Sequence, residues 1–369
     1  MQHTMINQRP TVLAAAILST WFSIVPTALA NTTYTYSIAT TPGGSNYNDQ
    51  YNNGTYSPTA LINDAGTVAG SWNAANNNPL SSTNVYVGAT GLSYKGFMSN
   101  EQVNALVSGF NNNGYVVGNE TGLTEYNYGS SEGSTAFYTT PADYGKTAPT
   151  KLLPADPNNL PTGDHVAGEF ATGITDSNII YGYTTHLVGA NEHSFTYNIA
   201  TSTYTDLSLT VNGVTESAGL QVGNVSNDGN YLLASYNGTT FVYDNATQVG
   251  TTITDPNFST VVPTDVNNNG LVVGYEKNNS GTNLFYGFEY DLNTHTFLSS
   301  GVQDPYQTGY SGTQFTGINN NGVISGTPDV GWAVFTSTTD LIPAPLPGAF
   351  WLMSAALGGL GCLSRRKSP

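Results

Sequence analysis

The sequence predicts an all-β protein built from repeated antiparallel sheets, and three observations carry that expectation. One is a short pattern that returns six times: an apolar residue, a mostly polar triplet, a Gly or Asn, then a β-branched run. Its clearest copy is Val266–Glu276, Val-Asn-Asn-Asn-Gly-Leu-Val-Val-Gly-Tyr-Glu. The second is an aromatic segment of period two that follows most copies, such as Gly287-Phe288-Glu289-Tyr290-Asp291-Leu292. The third is composition. With 41 Gly, 24 Tyr and only 9% charged residues, the chain reads as turn-rich β structure rather than charge-driven disorder.

Taken in order, residues 1–30 read as a secretory signal peptide. Arg9 supplies the positive start, Thr11–Val25 the apolar core, and Ala28-Leu29-Ala30 the small-x-small cleavage site. Cleavage after Ala30 makes Asn31 the first mature residue. Thr33–Thr40 alternates Tyr, Tyr and Ile with Thr and Ser, the pattern of a half-buried strand. Gly43–Tyr56, rich in Gly, Asn and Tyr, reads as a loop.

The six repeat copies begin at Ile62, Phe110, Ile174, Val225, Val266 and Ile318. Their turn positions hold Gly66, Gly114, Asn178, Gly229, Gly270 and Gly322. Gly and Asn are the residues that tolerate positive φ, so each copy reads as a hairpin corner. At Asn269-Gly270 the expected turn is type I′, with both central residues at positive φ. The outward-facing residues of the aromatic segment are expected to be Glu289 and Asp291. Ser194–Ile199 and Thr240–Asp244 match that segment, and a turn then leads to a fourth short strand, His295–Leu298 or Thr203–Leu207.

Each unit is therefore strand, turn, strand, loop, aromatic strand, turn, strand. Four antiparallel strands in such a repeat form the blade of a β-propeller, and blades must stack to bury both faces. Six copies predict six four-stranded blades across an extracytoplasmic domain, residues 31–341. The Tyr34–Ala39 strand completes the last blade and closes the ring, removing an exposed edge. The long interval from Gly114 to Asn178 leaves a seventh, degenerate blade as one alternative. The uneven spacing leaves an open β-repeat array as another.

Residues 342–347 form a Pro-rich stem with Pro343, Pro345 and Pro347. Residues 348–369 then hold sixteen uncharged apolar or small residues, Gly348–Leu363, and a basic end, Arg365-Arg366-Lys367. As a helix that run rises about 24 Å, slightly short of a hydrocarbon core, and the cations hold its end on the cytoplasmic side. The expectation is a C-terminal transmembrane helix.

Charge and single residues exclude several chemistries. Between leader and tail only Lys95, Lys146, Lys151 and Lys277 face all 24 Asp and Glu, a net charge of −20. Nucleic acid is therefore not an expected partner. The one cysteine, Cys362, lies in the apolar tail, so the exported domain has no disulfide and no thiol nucleophile. Cys362 is a candidate acylation site, though it reads more simply as one more small residue of the helix. His3, His165, His186, His193 and His295 form no metal-binding pair spacing. Asn63-Asp64 and Asn227-Asp228 approach a calcium loop only distantly, and turn-forming Asn is the simpler reading. No cofactor is expected. Just before each repeat stand Leu61, Gly109, Gly173, Asn224, Asp265 and Gly317, small residues suited to a crowded axis. Asp265 is the exception and is a candidate channel carboxylate, with a hydrogen-bonded turn cap as the plainer role.

Two resemblances add to this. The turn copies with Val-Val-Gly and an aromatic strand resemble the extracellular HAF repeats of bacterial surface proteins, over roughly residues 60–335. The Pro stem, Trp351-Leu352, the Gly-rich helix and Arg365, Arg366 and Lys367 look like a PEP-CTERM sorting signal, although the family's Pro-Glu-Pro is here Pro343-Ala344-Pro345. That resemblance implies an exosortase-type processing enzyme as partner. It also implies an inner-membrane intermediate, then a place on the outer surface or in the exopolysaccharide matrix of a Gram-negative bacterium. The function expected is a non-enzymatic surface protein that binds exopolysaccharide, another glycan or a protein through its loops. The alternative is a polysaccharide-modifying hydrolase or lyase that uses channel carboxylates.

Overall fold

The computed structural model describes residues 34–39, 59–73, 83–89, 95–97, 104–121, 134–144, 151–153, 166–186, 193–211, 214–216, 219–278, 284–303, 312–327 and 332–337. The leader, the Pro stem, the sorting segment and the loops Gly43–Tyr56 and 122–133 lie outside the described residues. Ala28, Ala30, Asn31, Pro343, Pro345, Pro347, Trp351, Arg365, Arg366 and Lys367 are therefore not among them. Among the described residues no helix is long and apolar enough to cross a membrane.

The described chain is almost entirely β. The first strand is β1 (Tyr34–Ala39). A first sheet follows, β2 (Ala60–Ile62), β3 (Thr67–Asn73), β4 (Thr83–Ala89) and β5 (Lys95–Phe97). The second is β6 (Asn104–Phe110), β7 (Val116–Thr121), β8 (Ser134–Thr139) and β9 (Lys151–Leu152), with a short 3-10 turn at Pro141–Asp143. The third is β10 (Val166–Ile174), β11 (Ile179–His186), β12 (His193–Asn198) and β13 (Thr203–Asp206). A separate hairpin, β14 (Leu209–Val211) and β15 (Val214–Glu216), precedes the fourth sheet. That sheet is β16 (Leu220–Val225), β17 (Tyr231–Tyr236), β18 (Thr239–Asp244) and β19 (Val249–Thr251). The fifth is β20 (Thr260–Val266), β21 (Leu271–Lys277), β22 (Phe285–Asp291) and β23 (Thr296–Val302). The sixth is β24 (Gln314–Ile318), β25 (Ile324–Thr327) and β26 (Trp332–Ser337).

Each sheet is an antiparallel meander in chain order. The second and third are joined through one parallel pair, Gly168 with Ser134. The sixth takes its fourth strand from the other end of the chain, because β1 pairs with β26 from Tyr34–Ser337 to Ala39–Trp332. The result is a β-propeller-like arrangement.

The core lies between sheets. One apolar cluster joins Leu61 and Val85 of the first sheet to Val107 and Phe137 of the second. Others join the second to the third through Val117 and Phe195, and the fourth to the fifth through Leu233 and Phe288. The fifth meets the sixth through Val273 and Phe315, and Ala60 and Val68 of the first pack with Val334 of the sixth. Because inner strands are covered on both faces, their side-chain alternation is not a solvent alternation. Glu289, read from sequence as outward, is only 4% exposed for that reason.

Cross-strand pairs of Gly and Phe thin the sheets where they stack. Gly118 faces Phe137, Gly182 faces Phe195, and Gly274 faces Phe288. A Cβ at Gly274 would lie 2.1 Å from the Val262 carbonyl oxygen and 2.7 Å from the Phe288 ring, so no side chain fits.

The hairpin corners differ from the expected type I′ geometry. Only one residue per corner is left-handed: Gly66, Gly114, Asn178, Gly229, Gly270 and Gly322, with φ from 60° to 82°. Gly270 N–H donates to the Asn267 carbonyl at 3.1 Å, and Asn267 N–H to the Leu271 carbonyl at 3.0 Å. This is a three-residue loop, a four-residue turn whose last residue is left-handed. Asn269 is spared positive φ because the third loop residue, not the second, carries the reversal. A two-residue loop with both residues left-handed does exist, at Asn237 (φ 50°) and Gly238 (φ 76°) between β17 and β18. His295, expected to open a strand, instead sits in the preceding turn with φ 54°.

Candidate functional site

The first strands of the sheets converge on an axis, and their local chemistry explains how. Five of them carry a register shift at one place: between Val107 and Gly109, Ala171 and Gly173, Val222 and Val225, Pro263 and Asp265, and Phe315 and Gly317. A bulge bends the strand and drives the next residue toward the axis. The backbones then touch. A Cβ at Gly109 would fall 2.8 Å from Gly173 Cα, and one at Gly317 would fall 2.9 Å from Leu61 Cα. Hydroxyls on the bulged residues stitch sheet to sheet. Thr264 Oγ1 donates to the Phe315 carbonyl at 2.8 Å, Thr316 Oγ1 to Ala60 at 2.6 Å, and Ser108 Oγ to Ala171. The signal is a Ser or Thr before the axial residue in Ser108-Gly109, Thr264-Asp265 and Thr316-Gly317, and sequence reasoning missed it; Thr172, before Gly173, instead donates within its own sheet to the Tyr181 carbonyl at 3.2 Å.

Asp265 occupies the axial position in the fifth sheet, only 8% exposed. Its Oδ1 accepts from Asn224 Nδ2 and Val266 N–H, each at 2.8 Å, and Oδ2 accepts from Ile318 N–H at 2.8 Å. It therefore links three successive sheets. Where other sheets touch through glycine backbone, Asn224 and Asp265 span the gap with side chains. Burial pushes the Asp265 carboxyl up to about 7, against the downward pull of the Ile318 and Val266 N–H groups. The channel beside it has a volume of about 10 Å³ and is lined by Leu61, Phe110, Asn224, Asp265, Asn267 and Ile318, among others. That is space for about one water molecule.

Around the mouth of the channel the six corners hold one another. Asp64 N–H donates to Asn112 Oδ1 at 2.8 Å, Asn112 N–H to Asp176 Oδ1 at 2.9 Å, and Asp176 N–H to the Asn227 carbonyl at 2.7 Å. Asp228 N–H continues to Asn268 Oδ1 at 3.0 Å, Asn268 N–H to Asn320 Oδ1 at 2.9 Å, and Asn320 N–H back to Asp64 Oδ1 at 2.8 Å. The cycle closes on itself. The Asn267 and Asn269 side chains reach the next corner, Asn267 Nδ2 donating to the Asn319 carbonyl and Asn269 Nδ2 to the Asn320 carbonyl, while Asn268 Oδ1 accepts from Asp228 of the preceding one. Asn63-Asp64 and Asn227-Asp228, weighed as calcium ligands, stand in this cycle. Among the described residues no group of three or more His, Cys, Asp or Glu is placed to hold a metal.

The remaining candidates scatter. His193 Nε2 lies 2.9 Å from Asp206 Oδ1 at the third sheet's outer edge, and His186 ends β11. His3, His165 and Cys362 lie outside the described residues. The meander topology also sorts the connections. The corners between first and second strands share one face with the turns between third and fourth. The connections 74–82, 122–133, 187–192 and 279–283, between second and third strands, begin and end at the opposite face.

No family model and no curated protein matches the chain. Solved structures offer distant likenesses. TolB from Acinetobacter baumannii has 11% identity and a TM-score of 0.44 over 76% of this chain, which spans 63% of that protein, less than two thirds. An oligogalacturonate lyase in complex with manganese has 12% identity and a TM-score of 0.42, with 84% of this chain and 97% of that one covered. The Dos1 propeller has 8% identity and a TM-score of 0.42, with 83% and 95% covered. Nothing about activity follows from likenesses this remote.

Proposed function

We propose that this is an exported, non-enzymatic surface protein: a closed six-bladed β-propeller that presents its long loops to exopolysaccharide, with another surface protein as the second kind of partner. The observation that carries the reading is how the polar groups at the channel are used. The Asn side chains of the corners and both oxygens of Asp265 are engaged in joining sheets, beside a channel of about 10 Å³. A pyranose ring does not enter such a space, and acid–base glycoside hydrolysis needs two carboxyl groups flanking the bond. Recognition then falls to the face of long connections, of which 122–133, with its two Tyr beside Glu125 in Glu125-Tyr126-Asn127-Tyr128, is the richest in stacking side chains. Export and anchoring rest on the leader and the sorting-signal resemblance: an exosortase-type enzyme processes the C-terminal segment, and the protein ends on the outer surface or in the matrix.

The test is to incubate the purified mature protein with exopolysaccharide and read both binding and polymer length. Binding without shortening is expected. Shortening that disappears in Asp265→Asn would overturn the reading in favour of a hydrolase or lyase. Deleting residues 343–369 is expected to release the protein to the medium, and unchanged envelope retention would remove the sorting signal from the account.

A further inference from the structure

A second carboxyl group is buried in the fifth sheet, away from the channel. Glu276, on β21, is fully buried, and its Oε1 touches no hydrogen-bond partner. Its Oε2 accepts from Gly301 N–H and Ser300 Oγ, each at 3.1 Å. Asp255, in the connection between β19 and β20, is 7% exposed and meets Glu276 at the Ser300 hydroxyl, which touches a carboxyl oxygen of each. Its Oδ1 accepts from Asn257 N–H at 2.8 Å and Asn257 Nδ2 at 2.9 Å, and its Oδ2 from Ser300 Oγ at 2.8 Å. The Ser300 hydroxyl has one hydrogen for two carboxyl groups.

No cation faces the pair among the described residues. Opposite Glu276, β20 places Val261 and β22 places Tyr286, while β23 brings Ser300 and Gly301. Lys277, next along β21, holds its ammonium over the Phe285 ring at 4.8 Å. Leaving a buried carboxylate oxygen unpartnered costs about 1–3 kcal/mol or more. Two ionised carboxylates side by side add repulsion to that. A proton held on Glu276 takes the charge off the unpartnered oxygen and the repulsion off the pair.

We infer that Glu276 and Asp255 share one proton and form a pH-operated clasp. Protonated, it ties the Asp255–Ser259 connection to β21 and to the end of β23. Deprotonated, it holds two facing carboxylates and lets that connection go. Burial pushes the Glu276 carboxyl up to about 7 against the pull of Gly301 N–H and the Ser300 hydroxyl, and the Asp255 charge adds to the rise. The folded value lies above the ordinary 4.5, so the clasp's stabilisation is complete below that value and is lost as pH rises toward 7. The clasp lies at the end of β21 that leads into the connection 279–283, so its state bears on the long-loop face.

Hydrogen exchange on the purified protein, corrected for intrinsic rates, tests this. The amides of Phe258, Ser259 and Gly301 bond within the clasp region and are the reporters. Their protection is expected to fall roughly tenfold or more between about pH 5.5 and about pH 8.5. Glu276→Gln, whose amide donates a permanent hydrogen to Asp255, is expected to stay protected at both. Asp255→Asn supplies the same hydrogen from the other side and serves if the first variant does not fold. Asp265→Asn, on the adjacent strand but sharing no hydrogen bond with the clasp, is expected to keep the wild-type response. Equal protection at both pH values in the wild type, or loss in Glu276→Gln that parallels it, would overturn the inference. Restoration of high-pH protection by millimolar calcium would also overturn it, because the pair would then be a cation site.

Discussion

The two sets of turns on the corner face are built on opposite principles. The outer turns, between third and fourth strands, are capped by their own residues and reach only within their sheet, as Asn293 Nδ2 does to the Asn269 carbonyl at 2.9 Å. Asn198, Asp244 and Asp291 each accept from the N–H two residues on, at 2.8–2.9 Å, and Ser202, Gln248 and His295 complete the reversal with positive φ. The inner corners cap themselves too, but also reach across to the next sheet. Asn319 caps its own corner, taking Val323 N–H at 2.9 Å and Asn321 N–H at 3.0 Å on Oδ1, but its Nδ2 donates to the Asn63 carbonyl at 3.0 Å, 256 residues away. The difference teaches where this fold keeps its cooperativity. An outer turn draws its hydrogen bonds from within one sheet; an inner corner completes its set only with the next sheet in place.

That contrast can be broken directly. Asn319→Ala removes three hydrogen bonds at a site 2% exposed and is expected to cost about 3 kcal/mol, read by denaturant unfolding of the whole protein. If it costs no more than an outer-turn change, the corner cycle contributes nothing cooperative. Asp265→Ala, which strips the link across three sheets, belongs with it at about 2–3 kcal/mol.

Acidity sharpens the same comparison. The folded Asp265 carboxyl titrates near 7, above its ordinary 3.8, so the folded state holds the proton more tightly. Its contribution favours folding most below the ordinary value and declines as pH rises through the window up to about 7. Melting temperature is therefore expected to be higher near pH 5 than near pH 8, and Asp265→Asn should flatten part of that slope. No slope at all would mean that the axis holds Asp265 ionised.

Outer-turn changes come last. Asp291→Ala removes caps to Asn293 N–H and Thr294 Oγ1 and is expected to cost about 1 kcal/mol without altering the unfolding slope. His295→Gly relieves a left-handed residue at some cost in chain entropy and is expected to stabilise by about 0.5 kcal/mol. A loss there would show the His295 side chain to be held by contacts rather than tolerated.

Much of the frame was legible in the residues. Gly66, Gly114, Asn178, Gly229, Gly270 and Gly322 mark the left-handed residue of every corner, because tolerance of positive φ belongs to single residues. The pairing of the Tyr34–Ala39 strand with the last sheet was likewise expected from one leftover strand and one sheet short of a partner. The turn type at Asn269-Gly270 was misread, since Asn-Gly is shared by two-residue and three-residue loops and the dipeptide alone does not count the loop. Glu289 was misread because alternation reports two faces and not which of them meets water.

The repeats, the left-handed corner residues and the period-two strands are written in the residues themselves, because they are properties of neighbours whose backbone preferences act within a few positions. Folding in three dimensions sets what the Asn residues do, makes Asp265 a bridge between sheets, and brings Glu276 and Asp255 to one Ser300 hydroxyl. Those facts depend on contacts between segments tens to hundreds of residues apart, and on the burial those contacts create, which no local pattern encodes.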